Sequence, residues 1–224
     1  GPPRAKPPTR TAGLNRFTWD LRYPGAKTFE GMILWGARAE TGPIAVPGDY
    51  GVRLTANGVT QTAKFRVVMD PRLTDVSQAD LVEQFRLASQ VRDKVSEADD
   101  MVIQIRELKS KLKDREDKAK DPNLNAAGER LETRLSAVEE EVYQVRNRSN
   151  QDPLNFPIKL NNQIAALQRV IMTGDAKPTD QSYVVFKELN QRLDALKAKL
   201  QETLRNDLPP VNDALKQKGL QPLM

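Results

Sequence analysis

The sequence contains no cysteine and no histidine among its 224 residues. Their absence excludes disulfides, thiol nucleophiles, His-based triads and nearly all zinc or transition-metal sites. The Walker A, dinucleotide-binding, calcium-loop, nucleophile-elbow and zinc-protease motifs are missing too. Any chemistry would have to depend on carboxylates, Lys, Tyr, Ser or Thr. We therefore expect no catalytic, cofactor-binding or metal-binding residues, and no enzyme activity in this chain by itself.

Aromatic residues make up only 5% of the chain, which is low for a protein made wholly of sheet. No window approaches the roughly 18 consecutive apolar residues of a membrane span, and no signal-peptide pattern opens the sequence. The lack of cysteine leaves the cellular compartment open. Apolar residues at 38% and charged residues at 29% are typical of a soluble protein rich in exposed helix.

Negative charge is scarce in the first third of the chain. Residues 1–76 hold 11 Lys and Arg against 6 Asp and Glu, and the remainder is balanced. The basic residues are scattered singly, whereas nucleic acid usually requires a concentrated basic stripe with stacking aromatics. We expect no nucleic-acid partner.

The hydrophobic pattern divides the chain into three parts. Residues 1–13 are rich in proline and predict a linker, or an artificial start left by tag removal. Residues 14–72 predict a β-sandwich-like domain, and residues 73–224 predict a helical bundle. The expected fold class is thus α+β, with a small immunoglobulin-like antiparallel segment before an antiparallel bundle containing a long helical hairpin.

Within the β segment, apolar residues alternate with polar ones. Phe17, Trp19, Leu21 and Tyr23 predict a half-buried strand, in which Trp19 belongs to the core rather than to a sugar-binding platform. Asn57-Gly58 lies between two alternating runs and predicts a type I′ hairpin, because both residues tolerate positive φ angles.

A glycine-punctuated stretch over residues 24–46 is less regular and predicts one short strand inside a long loop. Its apolar residues are the candidate interaction surface of this chain: Phe29, Met32, Ile33 and Trp35. For Trp35, a lid over the core and a contact with a partner remain equally open.

From Ser77 onward the period is helical. A first helix is predicted over 77–118 with a capping box at Ser77, and a second carries Leu131, Leu135, Val138, Val142 and Val145 at coiled-coil spacing. A third should begin at Pro157 and end with Gly174 as a left-handed cap. Thr179 should cap a fourth, which Pro209-Pro210 should close ahead of a short helix near 211–218. We expect the first two helices to project as a hairpin.

The acidic triplet Glu139-Glu140-Glu141 raises the question of a carboxylate site. Adjacent helical residues point about 100° apart, so three in a row cannot converge on one ion. Val138 and Val142 lie on the predicted seam, which places the triplet toward solvent. The pattern favours a solvated face over a metal site.

Several phrases, taken in order, resemble a known family: Asn15-Arg-Phe-Thr-Trp-Asp-Leu-Arg-Tyr23, Pro47-Gly-Asp-Tyr50, Val68-Met-Asp-Pro-Arg72, Leu160-Asn-Asn-Gln-Ile-Ala-Ala-Leu167 and Gly174-Asp-Ala-Lys-Pro-Thr179. The set is similar to the C-terminal region of large bacterial exported proteins with sortilin-like, sialidase-type β-propellers, labelled glycosyl hydrolases with BNR (Asp-box) repeats. The resemblance covers about residues 13–220 and implies an immunoglobulin-like domain leading into helices in an exported protein. In that family the propeller lies upstream and would hold any active site. No Asp-box motif occurs here, so the resemblance does not assign a hydrolase role to any residue of this chain.

The leading hypothesis is a non-catalytic C-terminal accessory or interaction module of such a propeller protein. One alternative is a fragment of a glycosyl hydrolase or peptidase whose active site lies in upstream parts, and another is a carbohydrate-binding module that uses Trp35. The expected partner is the upstream propeller or another protein, and a homo-oligomer is left open.

The β segment offers three or four strands where an immunoglobulin-like domain has seven. Its apolar face therefore needs a cover: the bundle, a second copy, or upstream strands, of which we favour the last.

Overall fold

The computed structural model describes residues 9–224. Two small antiparallel sheets of two strands each precede four helices, which confirms the α+β class and the order of strands before bundle. The first sheet pairs β1 (Arg22–Pro24) with β2 (Thr41–Ile44), and the second pairs β3 (Gly48–Ala56) with β4 (Val59–Val67). Most of the Pro-rich start predicted over 1–13 lies outside the described residues. No helix in residues 9–224 is long and apolar enough to cross a membrane.

The predicted hairpin is confirmed. Strands β3 and β4 pair in continuous register from Gly48 opposite Val67 to Ala56 opposite Val59. The turn residues Asn57 and Gly58 have φ angles of 49° and 78°, as a type I′ turn requires.

The predicted strand over residues 17–23 is wrong over most of its length. Regular pairing begins only at Arg22, and Leu21 adopts a positive φ of 60°, which breaks an extended strand. Phe17, Leu21 and Tyr23 are all substantially exposed. Period-two patterning identifies residues that can form one face of a strand, but a strand also needs a neighbour to pair with, and here β2 is only four residues long.

The short β1–β2 sheet depends on two glycines. A Cβ atom at Gly42 would overlap the carbonyl oxygen of Tyr23, and one at Gly25 would overlap the carbonyl group of Glu40. The two chain segments therefore approach closely only because these positions carry no side chain. This explains the glycine punctuation of a stretch that otherwise lacks a clear strand pattern.

The helices are α1 (Gln78–Ala119), α2 (Pro122–Val142), α3 (Leu160–Ile171) and α4 (Asp180–Gln217), with a short 3-10 turn at Asp152–Leu154. The capping box that begins α1 is confirmed: the Asp80 amide donates to Ser77 Oγ and the Ser77 amide donates to Asp80 Oδ2. Thr179 caps α4 as predicted. The predicted seams of all four helices supply most of the buried core.

Helices α2 and α3 follow one another along the same side of α1, both antiparallel to it. Arg106 of α1 contacts Glu139 of α2, while further toward the start of α1 Asp99 contacts Asn161 of α3. The two shorter helices thus act as one interrupted rod, broken at residues 143–159, beside the continuous rod of α1.

Helix α4 forms the third rod and runs the whole length of the bundle. Near its start the Tyr183 hydroxyl donates to Glu83 over 2.7 Å, and just beyond its end Lys218 pairs with Asp121 at the α1–α2 corner. The long α1–α2 hairpin is confirmed, but its tip does not project alone, because α4 packs along it. Four helices therefore make a bundle of three rods.

Three predicted helix boundaries are wrong. Pro209 and Pro210 lie inside α4 and do not close it. Both are exposed, as are Arg205 and Asn206, so water reaches the carbonyl groups that lose their donors. The buried stripe meanwhile continues beyond the prolines through Leu208, Val211 and Leu215, and this burial favours continuing the helix.

The other two concern α3. It begins at Leu160, after Lys159 as its cap, and so three residues later than Pro157 would suggest. It ends at Ile171 with Met172 as its C-cap, and Gly174 does not adopt a left-handed conformation.

The β segment and the bundle share one core. Ala26 and Ala39, from the irregular stretch before β2, belong to the same cluster of buried side chains as the helix seams. The bundle is thus the cover for the first sheet, one of the three possibilities the sequence left open. It does not cover the outer half of the β3–β4 hairpin, where Val52, Leu54 and Val59 are exposed.

Substituting a charge into the three-rod core should destabilise the protein strongly. Leu193 of α4 is fully buried, so Leu193→Asp places an unpaired carboxylate in the core and should lower the free energy of unfolding by about 3–5 kcal/mol. Urea denaturation followed by circular dichroism measures this. Val184→Asp, on an exposed position of the same helix, is the control and should cost less than about 1 kcal/mol. Equal midpoints for Leu193→Asp and the unaltered protein would contradict the bundle core.

Candidate functional site

Residues 25–46, named here the extended segment, lie across the bundle and carry all four candidate residues. Most of this segment has no strand partner, so its backbone groups need other partners wherever they are buried. Asn162 of α3, itself buried, satisfies both groups of Trp35. The Trp35 amide donates to Asn162 Oδ1 over 2.6 Å, and Asn162 Nδ2 donates to the Trp35 carbonyl over 3.0 Å. This reciprocal pair holds the segment in one register on α3.

Two more buried side chains bind the same backbone. The Ile33 amide donates to the Tyr143 hydroxyl over 3.1 Å, and Gln168 Nε2 donates to the Thr41 carbonyl over 2.8 Å. Tyr143 lies just past the end of α2, and Gln168 lies one and a half turns along α3 from Asn162. Side chains from both halves of the interrupted rod therefore fasten the extended segment at separate points.

An aromatic and charged cluster lies beside this attachment. The rings of Phe29 and Tyr143 meet edge to face with centroids 5.0 Å apart. The Arg106 guanidinium lies over both rings, 4.7 Å from the centroid of Phe29, and its Nε donates to Glu139 over 2.7 Å. Lys109 also donates to Glu139, over 3.3 Å. The cluster joins the extended segment to α1 and α2 through cation–π and ionic contacts.

The expectation that the whole triplet Glu139–Glu141 faces solvent is wrong for Glu139, which is buried. It lies one position past the seam residue Val138 and turns toward α1, where two cations meet it. Glu140 and Glu141 are exposed, as expected. A buried carboxylate is stable there only because Arg106 and Lys109 compensate its charge.

A surface cavity of about 490 Å³ opens next to this cluster. Its lining residues are Arg106, Lys109, Ser136, Glu139, Glu140, Val145 and Arg148. The cations closest to Glu139 are already bound to it, and Lys109 also donates to Ser136 Oγ over 2.8 Å. Arg106, Lys109, Ser136 and Glu139 therefore satisfy one another, and together they form a structural ion cluster. Within residues 9–224, no group of three or more Asp or Glu side chains is placed to hold a metal ion.

The four sequence-predicted surface residues occupy different environments. Phe29 and Met32 pack against the bundle core, and Ile33 is half-buried. Trp35 exposes 42% of its surface, while its backbone is held at both polar groups. Of the four, only Trp35 presents a large aromatic surface to solvent. The interaction surface as a whole stays a prediction.

The residues that do most to position the segment, Asn162 and Gln168, were not singled out from the sequence. A signal for them is present in α3: Asn162, Ala165 and Gln168 recur every three residues beside the apolar stripe of Leu160, Ile164 and Leu167. Side-chain amides beside an apolar stripe, with a small residue between them, indicate a helix face that packs against an extended backbone rather than against another helix. An analysis of helical periodicity detects only the apolar stripe, so it does not detect a face of this kind.

Asp99 is a second buried carboxylate, on α1 opposite α3. No cation in residues 9–224 contributes to its electrostatics. Asn161 Nδ2 donates to Asp99 Oδ1 over 3.0 Å, and among the described residues neither Asp99 Oδ2 nor Asn161 Oδ1 has a partner. Burial raises the pKa of Asp99 to about 7, opposed by the Asn161 hydrogen bond and reinforced by the neighbouring Asp100 carboxylate. If Asp99 is protonated on Oδ2, its hydroxyl becomes a hydrogen-bond donor in a place where Asp99 Oδ2 and Asn161 Oδ1 are otherwise two acceptors without a donor.

No family model matches the chain, and no curated protein or solved structure matches it either. The comparisons with known proteins therefore add nothing to the resemblance described above, which stays a prediction. The geometry of the chain itself is the basis for any functional inference.

Removing the Asn162 amide should release the extended segment. Asn162→Leu keeps a similar volume but removes the hydrogen-bond partners of the Trp35 amide and carbonyl, which should lower the free energy of unfolding by about 1–3 kcal/mol. Hydrogen exchange of the Trp35 amide should accelerate. Asn125→Leu, at an exposed position of α2, is the control and should change neither quantity. Unchanged Trp35 exchange in Asn162→Leu would show that other contacts hold the segment.

The buried Asp99 should make stability depend on pH. The pKa is higher in the folded chain than in the unfolded chain, so the folded chain binds more protons between about pH 4 and pH 7, and stability falls as pH rises through this range. The loss contributed by Asp99 should reach about 4 kcal/mol above pH 7, from about 1.4 kcal/mol per tenfold change in proton affinity.

Asp99→Asn removes the titrating group and keeps a polar partner for Asn161. The variant should be the more stable protein at pH 8, and its advantage should shrink as pH falls toward 4. Urea titrations at a series of pH values, compared between the two proteins, measure this difference. Parallel pH profiles would mean that Asp99 titrates normally. Asp213→Asn, at an exposed position of α4, controls for the general loss of one negative charge.

Proposed function

We propose that this chain is a non-catalytic accessory module that presents a β-hairpin for interaction with a partner, within a larger exported propeller protein. The observation that carries the proposal is the hairpin β3–β4. It is paired in register over nine residues on each strand, yet the apolar side chains of its outer half remain exposed. An amphipathic sheet is ordinarily stable in water when its apolar face is covered.

The bundle supports this function as a scaffold. It fastens the extended segment through Asn162, Tyr143 and Gln168, and the segment leads directly into β3. The base of the hairpin is also tied to α1, because Gln78 Nε2 at the start of that helix donates over 2.7 Å to the carbonyl of Pro47, directly before β3. The base of the hairpin is thereby held relative to the helices while its outer half stays open.

The exported propeller protein enters the proposal through the ordered sequence phrases alone. Two of them now have a structural meaning: Leu160–Leu167 builds the helix face that binds the extended segment, and Pro47–Tyr50 begins the hairpin. The propeller itself, or another protein it binds, is the proposed partner.

The buried carboxylates have structural partners, which supports a role other than catalysis. Glu139 is held by two cations, and Asp99 is paired with an amide in the core between α1 and α3. Glycoside hydrolysis needs two carboxylates facing a shared cleft, and these two have separate surroundings. These two buried carboxylates therefore do not supply a catalytic pair for the alternative hypothesis that this chain is a hydrolase fragment.

A carbohydrate-binding module remains the second candidate, and the rigidly held backbone of Trp35 favours it. An exposed indole whose position is fixed can serve as a platform for a sugar ring. Binding to a glycan array that is lost in Trp35→Ala, with the fold intact by circular dichroism, would support this candidate over a protein-interaction module.

The isolated chain should have no hydrolase activity. Purified protein, incubated with chromogenic glycosides and fluorogenic peptides, should release no more product than a matched preparation of the Leu193→Asp variant, in which the core is disrupted. The two buried carboxylates, Glu139 and Asp99, have separate surroundings and do not face a shared cleft as a catalytic pair would. Turnover that co-elutes with the protein through two columns and disappears with Leu193→Asp would refute the proposal.

A further inference from the structure

The two faces of the β3–β4 hairpin differ completely in chemistry. Cross-strand partners lie on the same face, so the register assigns each pair to one side. One face carries Tyr50 with Phe65, Val52 with Ala63, Leu54 with Gln61, and Ala56 with Val59. The other carries Asp49 with Arg66, Gly51 with Lys64, Arg53 with Thr62, and Thr55 with Thr60. The hairpin is therefore a strongly amphipathic ribbon.

The chain covers only the base of the apolar face. Trp19 packs there, with its ring centroid 5.7 Å from that of Tyr50 and 6.0 Å from that of Phe65. Beyond this cluster the same face is open. Val52, Leu54 and Val59 expose 53%, 64% and 63% of their surface. A face that begins as a packed aromatic core and continues uncovered indicates a place for a further element.

The backbone of the ribbon is open as well. Among the described residues, β3 pairs only with β4 and β4 only with β3, so each strand has one outer edge with unpaired amide and carbonyl groups. Such edges recruit extended segments by continuing the hydrogen-bond ladder. The ribbon thus offers a hydrogen-bonding edge next to an apolar surface.

The size of the open patch argues against a second copy of this chain as its occupant. The patch is formed mainly by Val52, Leu54 and Val59, which is small beside the about 800 Å² per partner buried in a stable interface. Face-to-face packing of two copies would also leave every outer edge unpaired. An added strand uses the edge and the face together and does not need a large patch.

The charged face indicates the chemistry of that strand. Asp49 and Arg66 neutralise each other through a two-point ion pair, with distances of 2.6 and 3.0 Å. Arg53 and Lys64 form no ion pair within residues 9–224. A strand added at either edge places its polar-face side chains next to one of these two cations, so acidic residues there are favoured.

We propose that the β3–β4 hairpin binds one extended segment of a partner protein as a third antiparallel strand, apolar at alternate positions and acidic at the positions between. This rests on the proposed function as an interaction module and names the class of partner for it. The apolar side chains of the segment pack on Val52, Leu54 and Val59, and its acidic side chains face Arg53 or Lys64.

The probe for the test is a capped, fluorescein-labelled octapeptide in which Val and Glu alternate. Its controls are an alternating Val and Lys peptide and a peptide of the same Val and Glu content arranged in two blocks. Fluorescence anisotropy with the full chain should show binding of the alternating acidic peptide, at least about tenfold tighter than either control. Binding should weaken with salt, and amide exchange should slow along one outer edge of the hairpin.

Three variants of the hairpin and one control variant of α4 locate the binding. Leu54→Lys should weaken the acidic peptide by about tenfold or more, since Leu54 loses its apolar contact. Val184→Lys, a matched change at an exposed site on α4, should have no effect. Arg53→Glu should reverse the preference, so that the Lys peptide binds better, if the peptide adds to the edge of β3. Lys64→Glu should do so if the peptide adds to the edge of β4. All these positions are exposed, so the fold should persist.

Equal binding of the block peptide, no binding at about 1 mM peptide, or protection of amides outside the hairpin would each overturn the proposal. A concentration-dependent dimer that Leu54→Lys abolishes would also overturn it, because the second copy would then be the occupant. These outcomes are distinct from failure of the proposed function, which the hydrolase assay tests independently. A chain without hydrolase activity and without strand binding would still be non-catalytic, but it would not use the hairpin to bind an extended segment.

Discussion

The structure depends first on the reciprocal hydrogen bonds between the Asn162 side chain and the backbone of Trp35. The extended segment must lie against the bundle, because Ala26 and Ala39 are buried there, but it has no sheet to satisfy its backbone. An unsatisfied buried amide or carbonyl costs about 1–3 kcal/mol. The amides of α3 remove that cost at one register only. They thereby decide where β2 lies, where the hairpin begins and which way its apolar face points.

The interruption of the middle rod makes this attachment possible. If α2 continued into α3 as one helix, its own backbone would be satisfied internally and its side chains would form a uniform seam. The break at residues 143–159 instead provides polar side chains that are buried against the rest of the chain, among them Tyr143, Gln144 and Asn147. Gln144 Nε2 donates to the Pro157 carbonyl over 2.9 Å and so holds the break itself together. A continuous α1 and α4 on either side keep the two halves aligned.

Local physics accounts for what could be predicted from the sequence. The Asn57-Gly58 turn and the Ser77 capping box depend on neighbouring residues only, and the helix seams repeat at a fixed period. The failures all involve distant partners. Phe17 to Asp20 form no strand because no segment within residues 9–224 pairs with them. Pro209-Pro210 do not end α4 because the α2 surface continues to bury that stripe. Of the candidate site, the segment with Phe29 and Trp35 was found by its apolar run. Asn162 and Gln168 were missed, since an amide that binds backbone from a remote part of the chain leaves no periodic trace.

The separation in sequence between Trp35 and Asn162 has a consequence for the order of folding. The helix rods can form by closing short loops at residues 120–121 and 143–159, whereas docking the extended segment closes a loop of more than a hundred residues. Docking also needs α3 in place, because its amides are the receiving surface. The β part should therefore order last as the protein folds. In a cell, a newly made chain would hold its first seventy residues without a docking surface until α3 has been synthesised, and the open hairpin strands would be available to other chains throughout that interval.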